Sequence, residues 1–198
     1  MRIIGGQRRG AKLSAPPGPA LRPTAERTRE AIFNILVHGV EDGDPGGQSV
    51  LDVFAGIGAM GLEALSRGAK HATFIDNAGT SIATIRSNIE KLEWQEWAKP
   101  LRADATTIGP PPVAAQAPCG LVFLDPPYQS GLVGQALTRL ARQGWIAGGA
   151  VCVVEVAAKE TLETSSSFSL LDERRYGAAR IIILRHQTAL KRRSDAQK

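Results

Sequence analysis

Apolar positions change rhythm along this chain, and the change divides it. From Ser49 onward, short apolar runs alternate with amphipathic stretches. Val50–Phe54, Ala72–Asp76, Leu121–Leu124 and Ala150–Glu155 read as strands, with a short one near Pro100–Arg102. Leu62–Arg67, Thr80–Leu92 and Leu132–Arg142 read as helices between them, the first ending at Gly68. Leu170–Tyr176 and Arg180–Leu184, separated by Gly177-Ala178, form a terminal hairpin. This alternation predicts an α/β fold: a doubly wound, mostly parallel sheet of seven strands with the last antiparallel. The stretch 109–118, with four prolines, predicts a loop or cover.

Before Ser49 the pattern differs. Ile3-Ile4, Gly5-Gly6 and Ala11-Lys12-Leu13 predict a short hairpin, and Pro16, Pro17 and Pro19 a stiff connector. Thr24 is positioned to cap a helix carrying Ala31, Ile32, Ile35 and Leu36 on one face, with Gly39 as its stop. The expected organisation is a basic arm or hairpin over 1–24, the α/β domain over 25–186 and a basic tail over 187–198 that is expected to be disordered.

Composition adds a location for charge. The 198 residues carry a net charge of +5. Residues 1–30 hold seven basic side chains (Arg2, Arg8, Arg9, Lys12, Arg22, Arg27 and Arg29) against Glu26 and Glu30, so the remainder is balanced. Excess positive charge confined to one end suits a polyanionic partner, although a solvated arm has the same composition. Cys119 and Cys152 are isolated in apolar surroundings, and the three histidines have no ligand spacing, so neither a disulfide framework nor a metal site is expected. No run of eighteen apolar residues and no secretory leader is present, which points to a cytoplasmic protein with no membrane partner.

The chemistry lies at strand ends. Gly56-Ile57-Gly58-Ala59-Met60-Gly61 fits G-x-G-x-x-G, and Asp76 follows Gly56 by twenty residues, as in dinucleotide sites. A nicotinamide-dependent oxidoreductase is therefore one reading. Asp52 opposes it, because a carboxylate below the turn repels a pyrophosphate and attracts an ammonium. S-adenosylmethionine fits better: Asp52 near the methionine amine, Asp76 on the ribose, Asp104 near the adenine amine. Asp104 fits a plain loop cap equally well. After the fourth strand comes Asp125-Pro126-Pro127-Tyr128. The prolines fix φ and provide no N–H, so acceptors gather beside an aromatic face. That combination suits an amino group on a planar base, and it does not distinguish guanine, adenine and cytosine.

Asp52–Ala69 resembles motif I of the Rossmann-like methyltransferases in the form typical of the RsmD family. Arg2–Gly10 and Leu21–Leu36 are similar to that family's N-terminal segments, and Asp125–Tyr128 to its target-amine motif; together the likeness runs to about Arg185. The resemblance implies methylation of the exocyclic N2 of a guanine in 16S rRNA, usually guanine 966, in assembling or assembled small subunits. It implies a catalytic set of Asp125, Pro126, Pro127 and Tyr128 and a cofactor set of Asp52, Phe54, Ala55, Gly56, Gly58, Asp76, Asn77, Asp104 and Ala105. It also implies RNA contacts from Arg8, Arg9, Lys12, Arg22, Arg27 and Arg29, with the last three facing either RNA or the methionine end, and a monomeric enzyme. A DNA adenine-N6 or cytosine-N4 methyltransferase shares the tetrapeptide and is the nearest alternative.

Overall fold

The computed structural model describes residues 1–15, 23–127 and 131–187. Arg22, Tyr128, the proline connector and the tail from 188 lie outside the described residues, as does the side chain of Thr24.

The elements run α1 (Pro23–Gly39), β1 (Ser49–Val53), α2 (Ala59–Ser66), β2 (His71–Asp76), α3 (Gly79–Leu92), β3 (Ala98–Arg102), β4 (Cys119–Leu124), α4 (Leu132–Arg142), β5 (Ile146–Ala157), β6 (Phe168–Tyr176) and β7 (Ala179–His186). They build one seven-stranded sheet of order β3-β2-β1-β4-β5-β7-β6. β7 pairs antiparallel with both neighbours, and the other strands are parallel. The chain reverses its winding between β1 and β4, where open α/β sheets bind ligands outside the carboxyl ends of the strands.

The sheet is covered on both faces, which is why its inner strands are near-continuous apolar runs. One layer joins Phe33 and Leu36 of α1, Leu62 of α2 and Ile85 of α3 to Val50, Phe123 and Val151. The other joins Leu137 and Leu140 of α4 to Leu51, Val122 and Cys152. Among the described residues no helix is long and apolar enough to cross a membrane.

Several boundaries shift by a few residues from the sequence expectation, and three differences have a visible cause. α1 starts at Pro23, whose fixed φ suits a first helical position, so Thr24 lies inside the helix. β5 begins at Ile146, because Gly148-Gly149 is carried within the strand, opposite an irregularity in β4 between Cys119 and Leu121. The 109–118 stretch contains a single 3₁₀ turn, Val113–Ala115, held by Thr73 Oγ1 donating to the Ala115 carbonyl at 3.0 Å and by buried Trp145 Nε1 donating to the Gly109 carbonyl at 2.8 Å.

The N-terminal segment closes on itself through one antiparallel bridge, Arg2 to Lys12. Ile3 and Leu13 are buried in the same layer as Phe33. Glu63, fully buried on α2, accepts the backbone N–H groups of Ile4 and Gly5, each at 2.8 Å. Gly6, at φ 73, passes so near the Ser66 carbonyl that a Cβ would lie 1.8 Å from its oxygen. Residues 1–13 are thus seated against the α/β core.

Candidate active site at the carboxyl ends of the strands

β1, β2 and β4 end within a residue of one another, and β5 runs on past them to Ala157. Val53 is in register with Ile75 and Leu124, and Leu124 with Val154. The next residues, Phe54, Asp76, Asp125 and Glu155, therefore form a row across neighbouring strands spaced about 4.8 Å apart. All four line a cavity of about 500 Å³, with Asn77, Pro126, Pro127 and Leu132 completing its wall. A larger cavity of about 780 Å³, between α4 and residues 160–164, contains none of the four.

The glycine turn forms one side. Phe54 and Gly56 both take the left-handed region, at φ 58 and 55. That conformation is uncommon for a bulky residue and marks a backbone held by its surroundings. The holding contacts are visible. Ala55 N–H donates to the Ile75 carbonyl at 3.1 Å, and Gly56 N–H to Asp76 Oδ2 at 2.9 Å. Asp76 Oδ1 accepts Ala78 N–H at 2.8 Å. A Cβ on Gly61 would lie 2.4 Å from the Phe74 ring, so close packing requires that glycine. A Cβ on Gly56 would meet nothing within 4 Å, and the turn is open there to a ligand.

Charge concentrates around this opening. Asp52 lies beneath the turn, 4% exposed, accepting Gly61 N–H at 2.8 Å. Burial pushes its pKa up to about 8; the Gly61 bond opposes the rise, and the Asp125 and Asp76 carboxylates add to it. A cation placed above the turn would favour the ionised form of Asp52. Desolvation of the Asp125 carboxylate by the groups packed around it, then the charge of Glu155, raises the Asp125 pKa. The residue as a whole is open to solvent at the rim, so water moderates that rise. Asp104 is exposed after β3 and caps its own loop: Oδ1 accepts Thr106 N–H at 2.8 Å and its hydroxyl at 2.7 Å, and these bonds lower its pKa. Ala105 is buried behind it.

Asp52 costs the fold stability as pH rises from its ordinary value near 3.8 towards about 8, because the folded state retains its proton. Asp52→Asn keeps an acceptor for Gly61. It is expected to raise the Tm of the ligand-free protein at pH 8 by several degrees, about 2–4 °C per kcal/mol for a chain of this size. The same variant is expected to weaken binding of a cationic ligand. Melting curves at pH 6 and pH 8 check this; an Asn variant less stable at pH 8 than the parent would show that the buried carboxylate does not strain the fold.

The basic residues separate into two groups. Arg29, expected at an RNA or ligand surface, is 3% exposed and faces inward. Its Nε lies 3.4 Å from Glu63 Oε2, and its Nη2 donates to the Arg2 carbonyl at 2.5 Å. Charge alone suggests an outward direction for this side chain, whereas the helix face decides it. Arg8 pairs with Glu93 at 3.1 Å. Arg8, Arg9, Lys12 and Arg27 are exposed. The Gln7–Arg9 turn lies against Ser66, at the amino ends of the strands and away from the cavity. α1 ends beside Arg185 at that same edge, so its first turns, with Arg27, point towards the cavity end.

Sequence reasoning missed Glu155 and Glu63. Glu155 is followed by Val156-Ala157 in the same strand, so it lacks the proline break that exposes Asp125. Glu63 follows the glycine turn at a position that reads as helix surface.

The geometry has relatives. A family model described as conserved hypothetical protein 95 matches residues 1–185. The chain is 39% identical over 166 residues to the ribosomal RNA small subunit methyltransferase D of Escherichia coli strain K12, covering 83% of this chain and 78% of that protein. It is 34% identical over 178 residues to the protein of that name from Haemophilus influenzae, covering 89% of each. The solved structure of yhhF from Escherichia coli superimposes with a TM-score of 0.78 at 33% identity, over 95% of this chain and 98% of that one.

Proposed function

The chain belongs to the RsmD family, and from that membership we propose that it is an S-adenosylmethionine-dependent methyltransferase acting on the exocyclic N2 of a guanine in 16S rRNA of the small ribosomal subunit, as a cytoplasmic monomer. The observation that carries this reading is the acidic row, Asp76, Asp125 and Glu155, with Asp52 beneath it, around a glycine turn open at Gly56. Among the described residues no lysine or arginine lines that cavity. A dinucleotide pyrophosphate would meet carboxylates without a compensating cation, which disfavours the nicotinamide reading. A sulfonium amino acid would meet complementary charge.

The residues present fit that cofactor. Asp76 holds the turn through Gly56 and Ala78 and presents its carboxylate edge to ribose hydroxyls. Asp104, ordered by Thr106, with Ala105 beside it, is suited to the adenine edge. Phe54, Ala55, Gly58 and Asn77 shape the space between. When bound, the cofactor supplies a methyl carbon whose bond to sulfur breaks as the new carbon–nitrogen bond forms, the electron pair remaining on sulfur.

The protein's own contribution is to prepare the amine. A guanine N2 lone pair is delocalised into the ring and attacks poorly. The Asp125 carboxylate and the Pro126 carbonyl accept its N–H groups, localise the lone pair and fix its direction. The proton released passes to Asp125 or to water. Neither Pro126 nor Pro127 offers an N–H that would compete for these acceptors. Tyr128 supplies a ring for stacking on an extruded base.

Arg8, Arg9, Lys12, Arg22 and Arg27 hold rRNA phosphates. The separation between the Gln7–Arg9 turn and Arg27 supports a footprint running along the arm and α1 towards the cavity. Replacing Arg9 and Lys12 by glutamate is expected to weaken small-subunit binding. It should also reduce the slope of log K against log salt by roughly one for each phosphate no longer neutralised. Filter binding across a salt series measures it, and an unchanged slope would make the arm a solvated segment.

The direct test is transfer of labelled methyl from S-adenosylmethionine into naked 16S rRNA, into small subunits and, separately, into duplex DNA, with mass mapping of the product. Label at one guanine N2 is the expected result. Label in adenine or cytosine of DNA would support the alternative class, and no transfer to RNA would end the proposal.

A further inference from the structure

The Asp125–Tyr128 motif accepts any exocyclic amine, so it leaves the choice of base open. Glu155 stands next to Asp125 in the acidic row, one strand over, at the position after the Leu124–Val154 rung. It lines the same cavity as Asp125, Pro126 and Pro127. Two carboxylate-bearing positions on neighbouring strands, whose backbones are about 4.8 Å apart, present adjacent acceptors at the carboxyl end of the sheet.

Guanine presents two adjacent donors on its Watson–Crick edge, N1–H and the N2 amino group. Adenine and cytosine place a ring-nitrogen acceptor beside their amine. A carboxylate next to the amine-binding group therefore attracts guanine and repels the other two. We propose that Glu155 is the specificity-determining residue, accepting the guanine N1–H while Asp125 and Pro126 hold N2. This rests on the reading of the cavity as the methyl-transfer site.

A negative charge beside an acceptor edge leaves two acceptors facing with no proton between them, which excludes a base more strongly than a merely absent contact. The charge of Glu155 also reaches Asp125, since it contributes to the raised pKa there. A guanine N1–H bonded to Glu155 would spread that charge, so correct base entry would favour the ionised form of Asp125. A base without the N1 proton would leave the two carboxylates opposed.

The test uses 2-aminopurine, which keeps the exocyclic amine of guanine and replaces N1–H by an acceptor. Small subunits are reconstituted with 16S rRNA carrying either base at the target position, and transfer rates are compared for the full chain and for Glu155→Gln. The parent protein is expected to prefer guanine by on the order of 10–100-fold, the discrimination of a good hydrogen-bonded base contact. Glu155→Gln, whose amide can donate to the ring nitrogen, is expected to bring that ratio near one or invert it. The ratio is internal to each protein, so a general loss of activity does not move it. Glu155→Ala and Glu155→Asp provide the same ratio if the glutamine variant does not fold. Variants that retain the parent ratio overturn the role of Glu155 while leaving the methyltransferase reading standing. A parent protein that methylates no rRNA guanine overturns both.

Discussion

Asp125→Ala is expected to lower methyl transfer into small-subunit rRNA by on the order of 10²–10⁴-fold, the range for loss of a positioned proton acceptor. The loss should fall on kcat, because the carboxylate acts most strongly as the amine gains positive charge. Asp125→Asn keeps an acceptor oxygen and loses the charge, so its rate should lie between the alanine variant and the parent. The pH profile separates this from a packing defect. Desolvation and then Glu155 raise the Asp125 pKa, and in the proposed mechanism its ionised form accepts the proton. The parent rate should therefore climb with pH through an apparent pKa above the ordinary aspartate value near 3.9. The asparagine variant should lose that limb. Rapid-quench single-turnover rates with labelled cofactor measure both effects. An alanine variant with parental rate, or an asparagine variant keeping the same limb, would take Asp125 out of the chemistry.

Both Asp125 and its row were only half legible in the sequence. Asp125 announced itself because two prolines end its strand, and Asp76 because it follows the glycine turn at a known interval. Glu155 gave no such sign. Its place in the row depends on strand order and register, Leu124 against Val154, and register is a tertiary fact. The fold was legible for a related reason: buried parallel strands and amphipathic helices leave strong periodic traces. Polar residues with buried roles leave none. Asn88 sits in α3 like any surface polar residue, yet it is fully buried. Its Oδ1 accepts Ser14 N–H at 2.7 Å, and its Nδ2 donates to the carbonyls of Ser14 and Ile57, each at 3.1 Å. It joins the end of the N-terminal segment to the glycine turn. Arg29 fails in the opposite sense: its charge suggests an outward face, but its partner, Glu63, lies inside.

Glu63→Ala is expected to be the most destabilising single change in the N-terminal half, by about 3–5 kcal/mol, the usual cost of breaking a buried pair from one side. For a chain of this length that corresponds to a Tm fall of roughly 10 °C. Glu63 is fully buried and serves four groups: Ile4 and Gly5 N–H at 2.8 Å, Arg67 Nε at 2.8 Å and Arg29 Nε at 3.4 Å. Burial already lowers the Arg29 pKa, and Glu63 is the largest influence opposing that. Without the carboxylate the guanidinium stays inside uncompensated. Arg67 suffers less, because it is partly exposed and lies 4.7 Å from the centroid of the Phe33 ring. Pairing Glu63→Leu with Arg29→Met removes both charges and should recover part of the loss, since buried ion pairs often gain little over apolar packing. Recovery should stop short of the parent, because Ile4 and Gly5 would still lack acceptors. The arm should then be cut by protease between residues 4 and 13 at temperatures where the parent resists, with the α/β domain intact. A Glu63→Ala protein melting within two or three degrees of the parent, about 1 kcal/mol, would mean that Ile3 and Leu13 packing, with the bonds to Ser66 and Asn88, holds the arm without this carboxylate.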